Sequence, residues 1–378
     1  MSRKRFYDPE IILTDSRLSA GAHTIAEIRS EPETWKNSID ALDETGEMRE
    51  LISSLPPEEE WMFVGCGSSY YLALTASATW SQLTGEAGRA VPASEILLFP
   101  KLLPECRNTI LISRSGRTSE IIEAGRYLEE QDAKSALAIT CGTDTPIEEV
   151  AARVIRLPQA DEKSTVMTRS FTSMLLAMQL LAAERAKASE FAAGIRALPR
   201  ETQLRMAGIE SSVQRIAESR NFEDYVFLGQ GPFYGVAQEA MLKVKEMSCS
   251  YAQSFHTLEF RHGPKAIVNP HTLVTFFISE RGLESEVSVL QEVKDLGATT
   301  LVVINKANAL VRDSADYLIE LSLSVPEFAR AAAFVIPGQL LGFHTGVAKG
   351  FDPDNPRNLS RVVTLQSSKD GDSGRAAP

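Results

Sequence analysis

The sequence contains itself twice. "EWMFVGCGSSYYLA" (60–73) and "DYVFLGQGPFYGVA" (224–237) share an apolar strand, a Gly-x-Gly and a helix start. "NTILISRSGRTSEI" (108–121) and "HTLVTFFISERGLESEV" (271–287) share the next unit, and "SALAITCG" (135–142) and "ATTLVVINK" (298–306) a third strand. Phe63 to Phe227, Ser113 to Ser279 and Ile139 to Val303 are separated by 164, 166 and 164 residues. Three landmarks in one order at nearly one offset define a duplication.

Each copy alternates short β-rich runs with helical stretches, the pattern of a parallel sheet covered on both faces. The fold expected is α/β, with two tandem doubly wound, flavodoxin-like domains. The boundaries read as an N-terminal helical segment at 1–50, with helix over 16–52, and a first domain at 51–190. A helical linker at 191–214, a second domain at 215–350 and a C-terminal loop and tail at 351–378 follow. The Ser/Gly/Ala-rich end reads as disordered. With 378 residues, 43% of them hydrophobic, the chain can fill two cores.

Composition narrows the function. A net charge of −11 argues against nucleic acid as partner. No apolar run approaches the ~20 residues of a membrane span, and MSRKRFYDPE lacks the apolar core of a secretory signal. Cys66, Cys106, Cys141 and Cys249 are scattered, which predicts reduced thiols, a cytoplasmic setting and no metal. No cofactor is expected.

"LISRSGRTSE" (111–120) reads as a strand end, a hydroxyl-rich loop and a helix start. In doubly wound sheets ligands bind beyond the strands' carboxyl ends. A helix N-terminus there offers free N–H groups and partial positive charge, and hydroxyls with a glycine wrap an anion. Ser113, Ser115 and Thr118 are the donors, with Arg114 and Gly116 in the same loop. Gly67, Ser68 and Ser69 end the preceding strand and face the same crevice. Capping by Ser115 or Thr118 is the competing reading. The second copy has Glu280 where the first has Arg114 and no serine pair, so one phosphate site per chain is expected, in the first half.

"GCGSSYYLA", "LISRSGRTSEII", "QEAMLKVKEMSCSYAQSF…EFRHGPKAIV" and "AKGFDPDNPRNLSRVVTL" resemble the sugar isomerase (SIS) domain pair. In particular they resemble the isomerase half of the glucosamine-6-phosphate synthase family and its stand-alone deaminase relatives. The likeness runs from about residue 20 to 365. It implies a phosphosugar ligand, with its phosphate on Ser113, Ser115, Thr118 and Ser68. It also implies substrate contacts for Thr165 and Glu239, and a homodimer with shared sites. The departures matter. The synthase's glutaminase domain is not among these residues, so glutamine is not expected as the direct ammonia source. The family's Ser-Gln-Ser-Gly-Glu-Thr loop has Arg114 and Arg117 for Gln and Glu, adding positive charge near the phosphate. Met167, Thr168 and Arg169 match a family Ser-Thr-Lys motif only loosely.

Glu239, Lys243 and Glu246 share one helical face, with Val236, Ala240, Val244 and Met247 on another. On spacing alone a solvated Glu–Lys ladder is the simpler reading. By the resemblance, Glu246 stands where the family keeps its general base, with Lys243 beside it. His262, in "RHGP", aligns with a histidine that opens the sugar ring in the neighbouring subunit's site; a structural turn histidine is the alternative. Lys349 either completes a helix C-terminus before Gly350 or, by the family's Lys-Gly-…-Pro-Arg-Asn-Leu pattern, captures an open-chain ketose as a Schiff base.

These residues point to an enzyme interconverting glucosamine 6-phosphate and fructose 6-phosphate plus ammonia, with deamination favoured. An aldose–ketose isomerase or a deglycase is the nearest rival, and a non-catalytic phosphosugar-binding regulator the rival of another class.

Overall fold

A computed structural model describes residues 20–55, 60–102, 108–131 and 135–363. The 1–50 segment begins as three helices rather than one: α1 (Ala22–Arg29), α2 (Glu31–Thr45) and α3 (Glu47–Ser54). Gly46, at φ 67°, separates the last two. Residues 16–19 of the expected helix, the N-terminal stretch read for a signal, Cys106 and the tail from 364 lie outside the described residues.

The first sheet contains β1 (Trp61–Gly65), β2 (Gly88–Pro92), β3 (Asn108–Ile112), β4 (Ser135–Thr140) and β5 (Val154–Arg156), ordered β2-β1-β3-β4-β5 and parallel throughout. The second contains β6 (Asp224–Gly229), β7 (Tyr251–His256), β8 (Thr272–Phe277), β9 (Thr299–Ile304) and β10 (Tyr317–Glu320), ordered β10-β9-β8-β6-β7. Renumbered within each half, both orders are the same. The duplication seen in the sequence is therefore a duplication of topology, and the fold is two tandem flavodoxin-like units.

Crossover helices carry the site. They are α4 (Ser68–Thr84) after β1, α5 (Ala93–Leu98) after β2 and α6 (Ser119–Glu130) after β3. Between the sheets run α7 (Arg169–Arg185), α8 (Ser189–Gln203) and α9 (Met206–Ser219). In the second half α10 (Pro232–Ser248) follows β6, α11 (Leu283–Asp295) follows β8, α12 (Ala309–Ser314) follows β9, and α13 (Ala331–Ala348) ends the repeat. Apolar on nearly every side, α7 and α13 are buried almost throughout. The stretch Glu327–Ala348 is the one described helix long and apolar enough to cross a membrane, an exception to the sequence expectation. Since 83% of its apolar window is buried, it serves as a core helix.

The halves meet where α4 crosses α10. The Thr75 hydroxyl donates to the Pro232 carbonyl at 2.9 Å. Opposite it, a Cβ on Gly235 would meet Thr75 Oγ1 and lie 2.7 Å from the Tyr71 carbonyl oxygen. Only glycine lets the two backbones approach this closely. The crossing brings the first turn of α4 against the middle of α10, at Glu239 and Lys243.

Candidate active site

In a 2-1-3-4-5 sheet the strand order reverses between β1 and β3, and the crevice outside their carboxyl ends is where ligands bind. The loops after these strands are Cys66–Ser69 and Ser113–Thr118. They line a cavity of about 230 Å³ through Gly67, Ser69, Arg114, Ser115 and Thr118. Thr118 is the N-cap residue of α6, but its side chain makes no capping bond. Its Oγ1 lies 3.2 Å from Ser113 Oγ instead. Ser115 Oγ accepts from the Arg117 N–H at 3.2 Å, within the loop. The capping reading therefore fails for Thr118. Gly116 takes φ 62°, and a Cβ there would collide with the Thr145 side chain. That conformation turns the loop back over the strand end.

Ser68 does not face this cavity as expected. It is buried, and its Oγ donates to Glu239 Oε1 at 3.0 Å and accepts from Lys243 Nζ at 3.2 Å. Lys243 Nζ lies 3.1 Å from Glu239 and 2.6 Å from Glu246. The solvated-ladder reading is excluded, because the Glu239 and Lys243 side chains are 0% exposed; Glu246 keeps 17%. Burial opposes the Lys243 charge, yet the two carboxylates outweigh it and hold the amine above the ordinary lysine range. Burial pushes Glu239 up to about 7, against the pull of Lys243. On α4, Tyr71 lies close enough for Glu239 to add to the burial that raises its phenol. Sequence reasoning missed Tyr71, and nothing in its local pattern distinguishes it from a packing tyrosine.

Glu246 faces a second cavity of about 220 Å³, walled by Cys249 at the end of α10 and by Gly350, Phe351 and Arg357 from the Lys-Gly-…-Pro-Arg-Asn loop. Lys349 follows α13, its Nζ 2.7 Å from Ser250 Oγ, which it donates to, and 5.7 Å above the Tyr225 ring. Burial lowers its pKa, enlarging the neutral, nucleophilic fraction. Ser250 is a second missed residue. His262 follows the turn Glu259–Arg261 and is exposed, and among the described residues its ring makes no hydrogen bond or ion pair. Thr165 contributes backbone only: its carbonyl accepts from Arg114 and its N–H donates to the Asp354 carbonyl at 3.4 Å.

Arg114 differs most from expectation. Its guanidinium is buried and committed to the Thr165 and Arg361 carbonyls and to Glu162, rather than open to an anion. Arg117 reaches the Asp144 carbonyl at 3.1 Å. Arg114 therefore adds no free cation to the loop, whereas Arg117 stays exposed and, among the described residues, pairs with no carboxylate.

The second half closes its equivalent crevice from within. Glu280, expected to repel phosphate, pairs with Arg330 instead. The carboxylate of Glu286 fills the strand end, accepting from Ser279 Oγ, from the Ser279 N–H at 3.3 Å and from Thr257 Oγ1 at 3.4 Å. Burial, with a smaller push from Glu327, raises it to about 7. Relative to an unfolded value near 4.5, the folded chain holds this proton more tightly. Stability must therefore fall as pH rises from about 4.5 to about 7, then level off. Glu286→Gln, fixed neutral, is expected to lose less stability than the wild type between pH 5 and pH 8 in urea titrations. An equal loss in both chains would exclude Glu286 as a source; Glu239 contributes a slope of the same sign to each.

The family model of the SIS domain matches residues 55–184 and 222–345, one match per sheet. The chain belongs to the SIS domain family. Among curated relatives, this SIS protein is 27% identical to the glutamine–fructose-6-phosphate aminotransferase of Methanothermobacter thermautotrophicus, over 90% of its own length and 57% of the relative's. The Pseudomonas putida enzyme of the same name is 28% identical, over 90% and 58%. The SIS chain thus spans less than two thirds of these relatives. Among solved structures, the glucosamine-6-phosphate deaminase of Thermotoga maritima superposes with TM-score 0.75 at 28% identity, covering 90% of this chain and 99% of that one. The C-terminal domain of the Francisella tularensis glucosamine-fructose-6-phosphate aminotransferase gives 0.75 at 26%, over 88% and 97%.

Proposed function

We propose that this SIS protein converts glucosamine 6-phosphate and water to fructose 6-phosphate and ammonia. The observation that carries the reading is the junction at Ser68. There the N-terminus of α4, behind the phosphate loop, meets the buried Glu239–Lys243–Glu246 face. Anion donors and proton-transfer groups so joined suit a small phosphorylated substrate whose carbon-bound protons are moved. The likeness to a deaminase over 90% of this chain supports the choice of reaction.

Ser115, Ser69, Thr118 and Ser113 hold the phosphate, with the first turn of α6 behind them. Glu246 moves the proton between C2 and C1 of the open chain, and Lys243 positions it. The resulting C2 imine exchanges its nitrogen for the Lys349 amine, releasing ammonia, and water hydrolyses the new imine to the ketose and free lysine. His262, exposed in its own chain, opens the ring in a partner's site, which makes the working unit a homodimer. The reading carries with it a cytoplasmic setting.

Fructose 6-phosphate with borohydride is expected to leave a covalent adduct on Lys349, found by peptide mass spectrometry. Lys349→Ala should bind the sugar phosphate yet lose most ammonia release, because the amine acts in the chemical steps. Ser115→Ala should show the opposite split. Loss of one hydrogen bond to a charged group, roughly 1.5–3 kcal/mol, should appear in KM with kcat largely kept. Full turnover in Lys349→Ala would overturn the Schiff-base step, and ketose–aldose interconversion without ammonia would favour a simple isomerase.

A further inference from the structure

We propose that Arg114 is a positioning residue that clasps the C-terminal segment over the phosphate loop. Beyond α13 the chain leaves the second half and crosses to the first. Asp352 accepts from the Gly21 N–H at 2.8 Å, and Asp354 from the Thr24 N–H and hydroxyl, each at 2.7 Å. These contacts anchor the strap's start to α1. Its far end, Arg361–Val363, forms a wall of the cavity opposite Ser115 and Thr118. The Ser119 N–H, in the first turn of α6, donates to the Val363 carbonyl at 3.4 Å.

Arg114 fixes that far end. Its backbone is rigid: the carbonyl accepts from the Cys141 N–H at 2.9 Å, the Gly142 N–H at 3.1 Å and the Thr140 hydroxyl at 3.1 Å, all at the end of β4. From there one guanidinium nitrogen donates to the Arg361 carbonyl at 2.8 Å and the other to the Thr165 carbonyl at 3.0 Å. Glu162, 3.4 Å away, balances the charge. That carboxylate is already held by the Thr168 N–H (2.5 Å) and hydroxyl (2.7 Å) and by the Ser170 hydroxyl (2.5 Å). Arg114 therefore works chiefly as a two-pronged donor to backbone. A planar fork with five N–H donors bridges two carbonyls, which a shorter amide with two donors does not match. The residue that forms the loop thus also sets the position of the wall facing it. The Arg361 side chain adds only an exposed pair with Asp161 at 2.8 Å.

Limited chymotrypsin digestion of the ligand-free chain, followed at the exposed Leu359, tests the clasp, with a kinetic arm that rests on the proposed function. In Arg114→Gln, cleavage there is expected to be about tenfold faster or more, as loss of a buried charged hydrogen bond requires, while the amides of β1 and β3 stay protected from hydrogen exchange. Arg361→Ala keeps the carbonyl and should change strap cleavage by less than about threefold, since exposed pairs contribute little. If Arg114→Gln unfolds, Arg114→Gln/Glu162→Gln leaves no buried carboxylate unpaired and carries the same expectation. Unchanged strap cleavage, or equal acceleration at sites throughout the chain, would overturn the clasp. In the kinetic arm KM for glucosamine 6-phosphate should rise while inorganic phosphate, held by the loop alone, competes as before. A KM unchanged despite a loosened strap would overturn the positioning role. Wild-type chain that neither binds nor turns over the sugar would sink the proposed function and leave the digestion result standing.

Discussion

Glu246→Gln is expected to lower ammonia release by roughly 10²–10⁴-fold, the usual contribution of a positioned general base. Glutamine keeps the size of the side chain and an oxygen for the Lys243 amine, 2.6 Å away in the wild type, so the fold should persist. Capture of the ketose by Lys349 and removal of a carbon-bound proton are separate steps. The variant should therefore still give the borohydride adduct, yet fail to exchange the C1 proton of fructose 6-phosphate with deuterium from solvent. Proton exchange at the wild-type rate would move the base elsewhere, with Glu239 as the first alternative.

Lys243→Met should be the most destabilising single change on the α10 face, by about 3–5 kcal/mol, as for other buried ion pairs stripped of one partner. The lysine side chain is fully buried between Glu239 and Glu246. Without it, Glu239 keeps only the Ser68 hydroxyl. That acid already stands at about 7 with its partner present and must rise further when the amine is gone. At low pH it takes a proton and the loss is small. As pH rises the folded chain must hold the proton or bury the charge, so the loss grows. Urea titrations of Lys243→Met and Glu239→Gln/Lys243→Met at pH 5 and pH 8 separate the terms. The double variant should recover part of the pH 8 loss. Equal losses in both variants at both pH values would mean the lysine contributes only packing.

The three central strands of each half are legible because each is a mostly apolar run, buried over nearly all of its described residues: β1, β3 and β4, then β6, β8 and β9. Missed were the edges: β2 and β5 in one sheet, β7 and β10 in the other. Edge strands carry polar residues on their open sides, as in "GRAVP" and "VIR", and leave a weak periodic signal. The same limit governed the site. Spacing puts Glu239, Lys243 and Glu246 on one face, but burial of that face depends on α4, whose Ser68 lies 171 residues before Glu239 and 175 before Lys243. The resemblance puts Ser68 on the phosphate; rotation about the start of α4 sends Gly67 and Ser69 toward the phosphate loop and Ser68 toward Glu239 and Lys243. Arg114 was read as a charge near an anion. Its partners, Glu162, Thr165 and Arg361, are distant enough in sequence that no local pattern announces them.

The joint at Gly235 bears on how a ligand comes and goes. Where two helices touch through backbone, with Thr75 hydrogen-bonded across and no side-chain layer between, there is nothing soft to shear. This contact ties the two halves together at the crossing. Traffic into the crevice belongs instead to the thirteen-residue stretch from Phe351 to Val363, held by a few hydrogen bonds that break and reform one at a time. On the proposed function, release of product is then a local event of this segment, and its rate can be retuned by evolution or by design without disturbing either sheet.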